Sequence, residues 1–260
     1  MGKYEFKYFV PQTRVEALRR ALIPFVELDE HAQRSGGEYT VSSIYYDTPS
    51  FDAYHEKLAG IQHRQKLRIR GYGTSDTEQH VYLEIKRKND MLISKSRAAV
   101  PYKQVDEFLR TATFDSLASN GNGSGRANAE AFLYHVRRRG MRPVVLVRYQ
   151  RKAFLSRTGP PIRITFDRDV SAAASSDLSD LYADVPTYEE FRDVVVFEAK
   201  FPLHMPPWLE SIIDRFDLKR MAISKYTHGL EACGAVRVGE TGTASGIPQP
   251  YDGGGYVWRI

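Results

Sequence analysis

Three stretches of this chain place charge on every second residue. Lys66, Arg68 and Arg70 alternate with Leu67 and Ile69. Glu84, Lys86 and Lys88 oppose Val81, Leu83 and Ile85, and Lys95 and Arg97 share a face of Leu92–Val100. A period of two is the signature of a strand, so each set lies on one side of its strand. A face made for water mixes signs, yet these are almost all positive. Like charges on neighbouring strands repel by up to about 1 kcal/mol per pair, so several together imply an anion. Arg offers phosphate a planar fork and Lys a compact point charge. The chemistry such a surface suits is the binding of a polyanion such as an oligophosphate. Glu198 stands in the β-rich apolar run Val194–Phe201, where a carboxylate is expected to have a cation partner.

Other chemistries find no support. The seven histidines are scattered without metal-ligand spacing, which argues against zinc. The only Gly-Lys is Gly2-Lys3, so no Walker A loop is present, and there is no Gly-x-Ser-x-Gly elbow. Cys233 is the sole cysteine, so no internal disulfide can form, and a reducing cytoplasm is the expected setting. No apolar run approaches the ~20 residues of a membrane span, and the first residues lack a signal-peptide core. The net charge of +5 is uneven. Arg64–Arg97 holds nine basic and four acidic residues, and Arg137–Arg168 holds ten basic residues against Asp167 alone. A polyanionic partner follows from that concentration.

The elements that must carry these residues are legible from periodicity. Strands are expected at Tyr4–Val10, Val41–Asp47, His63–Tyr72, Val81–Lys88, Leu92–Val100, Val144–Leu155, Ile162–Asp167 and Val194–Phe201. Thr13-Arg-Val-Glu16 has the form of a capping box opening a helix through Val15, Leu18 and Leu22 that Pro24 ends. Thr48-Pro49 opens a short helix to about Leu58, and Pro101–Thr111 forms another with Val105, Phe108 and Leu109 inward. Later helices contain Trp208, Leu209, Ile212, Ile213 and Phe216, and then Ile223–Leu230. Residues 119–126 are a Gly/Ser/Asn-rich flexible insertion, and 234–260 a Gly-rich mobile tail in which Trp258 and Ile260 could dock. Tyr45, Tyr46, Phe154 and Phe197 read as core aromatics.

The sum is an α+β fold in a single domain over 1–233, with eight mostly antiparallel strands. Two arrangements fit. The sheet curls into a tunnel or barrel with the basic faces inward and helices packed outside, or it stays open and binds RNA on its surface. Enclosing the cations costs several kcal/mol per ion. A bound oligophosphate offsets that, at about 1.5–3 kcal/mol for each charged hydrogen bond.

Nine short motifs, in order, resemble one family. They are Lys3-Tyr-Glu5-Phe-Lys7, Ser43-Ile-Tyr-Tyr-Asp47-Thr-Pro, Lys66-Leu-Arg68-Ile-Arg70-Gly-Tyr, Glu84-Ile-Lys86, Ser94-Lys95-Ser-Arg97, Arg148-Tyr-Gln-Arg151, Arg163-Ile-Thr-Phe-Asp167, Phe197-Glu198-Ala-Lys200 and Ser224-Lys225-Tyr-Thr-His-Gly229. Over about residues 3–230 the chain is similar to the vacuolar transporter chaperone (VTC) domain, the polyphosphate polymerase branch of the triphosphate tunnel metalloenzymes.

That resemblance implies an eight-stranded antiparallel tunnel that holds a triphosphate-like chain with Mn²⁺ or Mg²⁺ and moves the γ-phosphate of ATP onto polyphosphate. It implies Lys7, Arg68, Arg70, Lys86, Arg151 and Lys225 as the catalytic set. Glu5, Glu84, Lys88, Lys95, Arg97, Arg148, Arg163 and Lys200 are the expected substrate contacts, and Glu198 the metal carboxylate. The superfamily's opening Glu-x-Glu-x-Lys is reduced here, with Lys3 in the first position. ATP and polyphosphate or triphosphate are the expected partners, without nucleic acid. A triphosphatase in the same tunnel and a non-catalytic polyphosphate-binding module are the alternatives.

Overall fold

A computed structural model describes residues 4–73, 80–90, 92–112 and 124–236, and beyond them a short strand pair, Gln249–Pro250 with Tyr256–Val257. The principal strands are β1 (Tyr4–Pro11), β3 (Tyr39–Asp47), β4 (His63–Tyr72), β5 (His80–Asn89), β6 (Leu92–Pro101), β7 (Arg142–Ser156), β8 (Arg163–Ala174) and β10 (Val194–Phe201). They form one antiparallel sheet in the order β1-β10-β8-β7-β3-β4-β5-β6, with β2 (Val26–Leu28) added to β7 and β9 (Tyr188–Glu189) to β8. The sheet is strongly curled. In a flat sheet β1 and β5 would stand roughly 29 Å apart, six spacings of about 4.8 Å. Instead Lys86 Nζ on β5 donates to both carboxylate oxygens of Glu5 on β1, each at 2.9 Å.

Alternation along the strands explains which face of the sheet is concave. The outward face over β3–β6 carries Ile44, Leu67, Ile69, Leu83 and Ile85, all buried against Val105 and Phe108 of α4 (Val105–Thr111) and Phe132 and Leu133 of α5 (Ser124–Arg138). The outward face over β1, β10 and β8 carries Tyr8, Val10, Phe197, Ile164 and Phe166. It is covered by Leu18 and Leu22 of α1 (Gln12–Leu22) and by Leu209, Ile212 and Ile213 of α6 (Pro207–Arg215). Apolar faces thus lie outside under helices, and the charged faces curl inward. Part of the concave side is apolar as well. There Tyr39, Val41, Tyr45, Val147, Tyr149 and Val196 pack with Tyr54 of α3 (Asp52–Leu58) and Tyr226 and Leu230 of α7 (Lys225–Ala232).

Several local expectations change. Strand β1 runs directly into α1, whose N-cap is Pro11 with no side-chain cap, so Thr13 falls inside the first turn. The α3 helix begins at Asp52 rather than at Pro49. The Asp47 carboxylate accepts the backbone N–H groups of Thr48, Ala53 and Tyr54, at 2.8, 3.0 and 3.2 Å, and so fixes the turn first. Helix α5 starts at Ser124, so residues 124–126 of the expected insertion are helical, while 119–123 lie outside the described residues. Of the expected tail, Ala235 and Val236 rest on the core after Gly234 ends α7 at φ 65°. Trp258 and Ile260 lie outside the described residues. Among the described residues no helix is long and apolar enough to cross a membrane.

Candidate functional site

Register decides which charges meet. Across β4 and β5, Arg64 pairs with Lys88, Lys66 with Lys86, and Arg68 with Glu84. Across β5 and β6, Lys86 pairs with Lys95 and Glu84 with Arg97. Three directly opposed pairs, Arg64/Lys88, Lys66/Lys86 and Lys86/Lys95, are therefore cation against cation. On the other edge Lys7 pairs with Glu198 and Glu5 with Lys200. The curl closes these edges around a cavity of about 420 Å³ lined by Glu5, Lys7, Lys66, Arg68, Lys86 and Lys225 among others.

Three clusters of ion pairs organise the inner face. In the first, Glu5 lies 2.9 Å from Lys86 and 3.3 Å from Lys7, and Lys200 approaches Glu198 at 2.5 Å. Burial and the neighbouring Glu5 both push the Glu198 carboxyl up, but Lys200, Lys7 and Arg151 outweigh them and bring it down to about 2. Burial likewise opposes Glu5, yet Lys200, Lys86 and Lys7 hold it well below the carboxylate range. In the second cluster Glu84, almost fully buried, accepts from Arg68 Nε at 2.8 Å, pairs with Lys95, and has Arg97 Nε at 3.5 Å. Burial together with Arg68 and Arg70 pushes the Lys95 ammonium down to about 7 despite Glu84. In the third, buried Asp167 binds Arg151 Nε and Nη2 at 2.6 and 2.8 Å and Lys225 Nζ at 2.7 Å.

Arg70 and Lys66, beside these clusters, have no such partner among the described residues. Arg70 is buried and donates only to the hydroxyls of Ser43 and Tyr149, both at 3.1 Å. Lys66 donates to Ser224 Oγ at 2.9 Å and sits 4.5 Å from the Tyr226 ring centre. Burial, then repulsion from Lys57, Lys7, Lys86 and Arg64, drives its ammonium well below the usual value. The segment leading into α7 holds this geometry. Lys7 Nζ donates to the Ile223 carbonyl at 3.0 Å, and Met221 N–H donates to the Lys7 carbonyl at 2.8 Å. Ser224 caps α7, so Lys225 starts the helix pointing at Asp167.

The structure brings together Glu5, Lys7, Arg68, Arg70, Glu84, Lys86, Lys88, Lys95, Arg97, Arg151, Glu198, Lys200 and Lys225 on the concave side. Arg148 is not among them. It stands three residues from Arg151, and on a strand that odd spacing faces the opposite side. Its guanidinium donates to Ser42 Oγ and the Ala183 carbonyl on the outer surface. Arg163 lies on the inner face but at its far rim, tied to Asp29 at 2.8 Å and to the Tyr39 hydroxyl at 3.1 Å.

Some site residues escaped sequence reasoning. Tyr45 is no plain core aromatic: it lines the cavity and accepts from Arg68 Nη1 at 2.9 Å. Burial would raise its phenol, but Arg68 and Arg70 bring it below the usual value. Asp167 was detectable as the inward partner of Arg151, four residues beyond Arg163 on one strand face. Lys66 was visible in the alternation itself. Lys57, Arg64 and Arg220 meet only in the fold.

A curled antiparallel sheet with helices outside and cations on its concave face defines an α+β protein of the half-barrel, tunnel-like class. Residues 2–233 match the model of the VTC domain, and the chain belongs to that family. It is 27% identical over 224 residues, 73% of this chain and 28% of the relative, to the vacuolar transporter chaperone complex subunit 4 of Trypanosoma brucei brucei. Against subunit 4 of the same complex from Schizosaccharomyces pombe it is 24% identical over 263 residues, 86% of this chain and 36% of that protein. The chain thus spans only about a third of the length of these curated relatives. Among solved structures, the adenylyl cyclase HpAC1 from Hippeastrum, described with a dominant triphosphatase activity, superposes with a TM-score of 0.46 at 15% identity. The match covers 87% of this chain and 93% of that one.

Proposed function

We propose that this chain is a metal-dependent polyphosphate polymerase that transfers the γ-phosphate of ATP onto a polyphosphate chain inside the tunnel. The observation that carries the reading is the row of half-buried cations opposed to cations, with Arg70 and Lys66 in no ion pair among the described residues. Such a face is at rest only with a multivalent anion in it. Arg68, Arg70, Lys86, Arg151 and Lys225, with Lys7, would bind and align phosphate oxygens and neutralise the charge that shifts during transfer.

The state of the carboxylates favours transfer to phosphate over hydrolysis. Glu198 sits at about 2, and Glu5, Glu84 and Asp167 are each held low by cations despite the opposing effect of burial. A general base works best with a pKa near the working pH, so these groups are poor at taking a proton from water. The terminal phosphate of a polyphosphate is already ionised and needs no base.

Divalent metal fits the same residues. Mg²⁺ or Mn²⁺ takes one or two carboxylates and fills its remaining positions with phosphate oxygens and water. Glu198 and Glu5 supply two carboxylates on adjacent strands, and the buried Thr165 hydroxyl, in register with Glu198, has no hydrogen-bond partner among the described residues. Bound there, the ion would neutralise phosphate charge, while Lys7 and Lys200 would release the carboxylates they now hold.

The test is purified protein with ATP and Mn²⁺ or Mg²⁺, with products resolved by length on a gel and by phosphorus NMR. Chains accompanied by ADP are expected. Free phosphate without chains would make the protein a triphosphatase, and polyphosphate binding without turnover would make it a binding module.

A further inference from the structure

The two ends of the tunnel are chemically different. Arg64 stands near the start of β4 and Lys88 near the end of the antiparallel β5, so both stand at one end, where Lys57 of α3 and Arg220 join them in lining the cavity, the Arg220 guanidinium lying 3.8 Å from the Phe6 ring centre. None of these four makes an ion pair among the described residues. The nearest carboxylate influence is that of Glu56 on Arg64, and Glu56 is shared with Arg139 at 3.4 Å. Lys57 and Lys66 each lie within the fields of Arg64 and Lys7, so the group is one cluster rather than scattered surface charge.

The other end, eight residues and roughly 26 Å along β4, is already balanced. Arg163 is paired with Asp29, and Arg97 is 3.5 Å from Glu84 with its guanidinium 3.4 Å from the Tyr82 ring centre. His31 packs edge-on against Tyr39 and Tyr72, at 4.2 and 5.0 Å between ring centres, partly filling that end.

We infer that the growing polyphosphate occupies the mouth formed by Lys57, Arg64 and Lys88, a chain subsite separate from the residues that align the reacting phosphate. The inference rests on the polymerase reading above. A polyanion gains most where cations are unpaired and least where each guanidinium already has an acid or a ring. Phosphoryl transfer sets acceptor and leaving groups roughly in line. A chain entering by the cationic mouth therefore places the departing nucleoside diphosphate toward the opposite, aromatic end. The bond formed joins Pγ to the terminal oxygen of the chain, the bond broken is Pγ–O to the diphosphate, and no net proton is required of the protein.

The test compares the wild type with the triple variant Lys57→Ala/Arg64→Ala/Lys88→Ala. Arg20→Ala/Arg192→Ala/Lys219→Ala, on residues outside the cavity lining, is the charge-matched control. Titrations use tripolyphosphate and a long polyphosphate without ATP. For the mouth variant the long chain should lose at least about tenfold in affinity, and tripolyphosphate only about threefold or less, at roughly one charged contact per decade. The log–log salt dependence for the long chain should become shallower by about 2, near 0.7 per cation removed. The free variant should melt close to wild type, because the repulsion relieved offsets the lost hydrogen bond from Arg64 to the Ile61 carbonyl. The single variants Arg64→Ala and Lys88→Ala should each show part of the same loss.

Equal losses for both ligands, or a loss matched by the control, would overturn the subsite. So would loss of long-chain affinity in Arg97→Ala/Arg163→Ala with the mouth variant unaffected, which would place the chain in the opposite mouth. A wild type that binds long polyphosphate no better than tripolyphosphate would overturn the subsite while leaving ATP turnover as a separate measurement of the polymerase reading.

Discussion

Asp167→Asn is the perturbation whose consequences the geometry specifies most fully. The Asp167 carboxylate has no solvent exposure and receives three charged hydrogen bonds, two from Arg151 and one from Lys225, between 2.6 and 2.8 Å. An asparagine keeps the shape but presents an N–H₂ to groups that only donate. It leaves two buried cations facing a neutral amide. Removing one partner of a buried pair costs about 3–5 kcal/mol. In a chain of this length each kcal/mol moves Tm by about 2–4 °C, so a fall of about 6–20 °C is expected. The free protein and the protein with tripolyphosphate would be melted side by side by circular dichroism. A ligand present at 1,000 times its Kd adds about 4 kcal/mol, and the variant, one charge more positive, should recover more than wild type. The pH dependence has a definite sign too. Burial opposes ionisation of Asp167, but Arg151 and Lys225 hold it below the usual range. Its contribution is therefore present above the unfolded value near 4 and lost as pH falls below it. The variant should lack that part of the acid slope. An unchanged Tm, or a ligand response no larger than wild type, would refute the argument that Arg151 and Lys225 face the anion.

Other expectations follow from single contacts. Lys95 sits near 7, burial being the main cause, so it loses its proton across neutrality. Lys95→Arg, which stays charged, should bind tripolyphosphate more tightly than wild type at pH 8 relative to pH 6, and parallel titration curves would show that Lys95 does not face the ligand. Phe132 is fully buried under the β4–β6 face, and Phe132→Ala should cost about 3–5 kcal/mol in chemical denaturation without changing KM for ATP in the folded fraction. At Gly71 a Cβ would lie 2.6 Å from the Tyr182 ring. Gly71→Ala should displace that ring and lower Tm while leaving Arg70 in place, and equal stability would mean that the loop carrying Tyr182 yields freely.

How much of this was legible in the sequence depends on what kind of signal each residue left. The inward faces of β4, β5 and β6 were readable because alternation is a local property: Lys66, Arg68 and Arg70 share a face whatever the strand pairs with. The same parity would have excluded Arg148, three residues from Arg151. The motif match put both in one run, and strand geometry separates them. Helix α5 was not among the expected elements, although Ala129, Phe132, Leu133 and Val136 fall at helical spacing, because the Gly-rich stretch before it reads as loop. Neither the pairing of Glu5 with Lys86 nor the meeting of Lys57, Arg64 and Arg220 could be read locally. Those depend on how far the sheet curls and on where α3 and the segment before α7 come to rest.

The curl itself follows from a conflict in the strands. Their apolar faces must be covered, and α1, α4, α5 and α6 cover them from outside. That leaves the opposite faces, where opposed lysines and arginines would separate if the sheet were free to flatten. They are held together by few acids, each used more than once: Glu5 by Lys7, Lys86 and Lys200, Glu84 by Arg68, Lys95 and Arg97, Asp167 by Arg151 and Lys225. The acids are enough to close the fold and too few to neutralise it. Adding a carboxylate should then stabilise the free protein and block its ligand. Ser224→Asp sets an acid beside Lys66, where Ser224 Oγ already accepts at 2.9 Å, and keeps an N-cap for α7. The expected result is a higher Tm without ligand and a weaker response to polyphosphate. A variant that melts lower yet binds normally would mean that the inner cations are not the strained part of this structure.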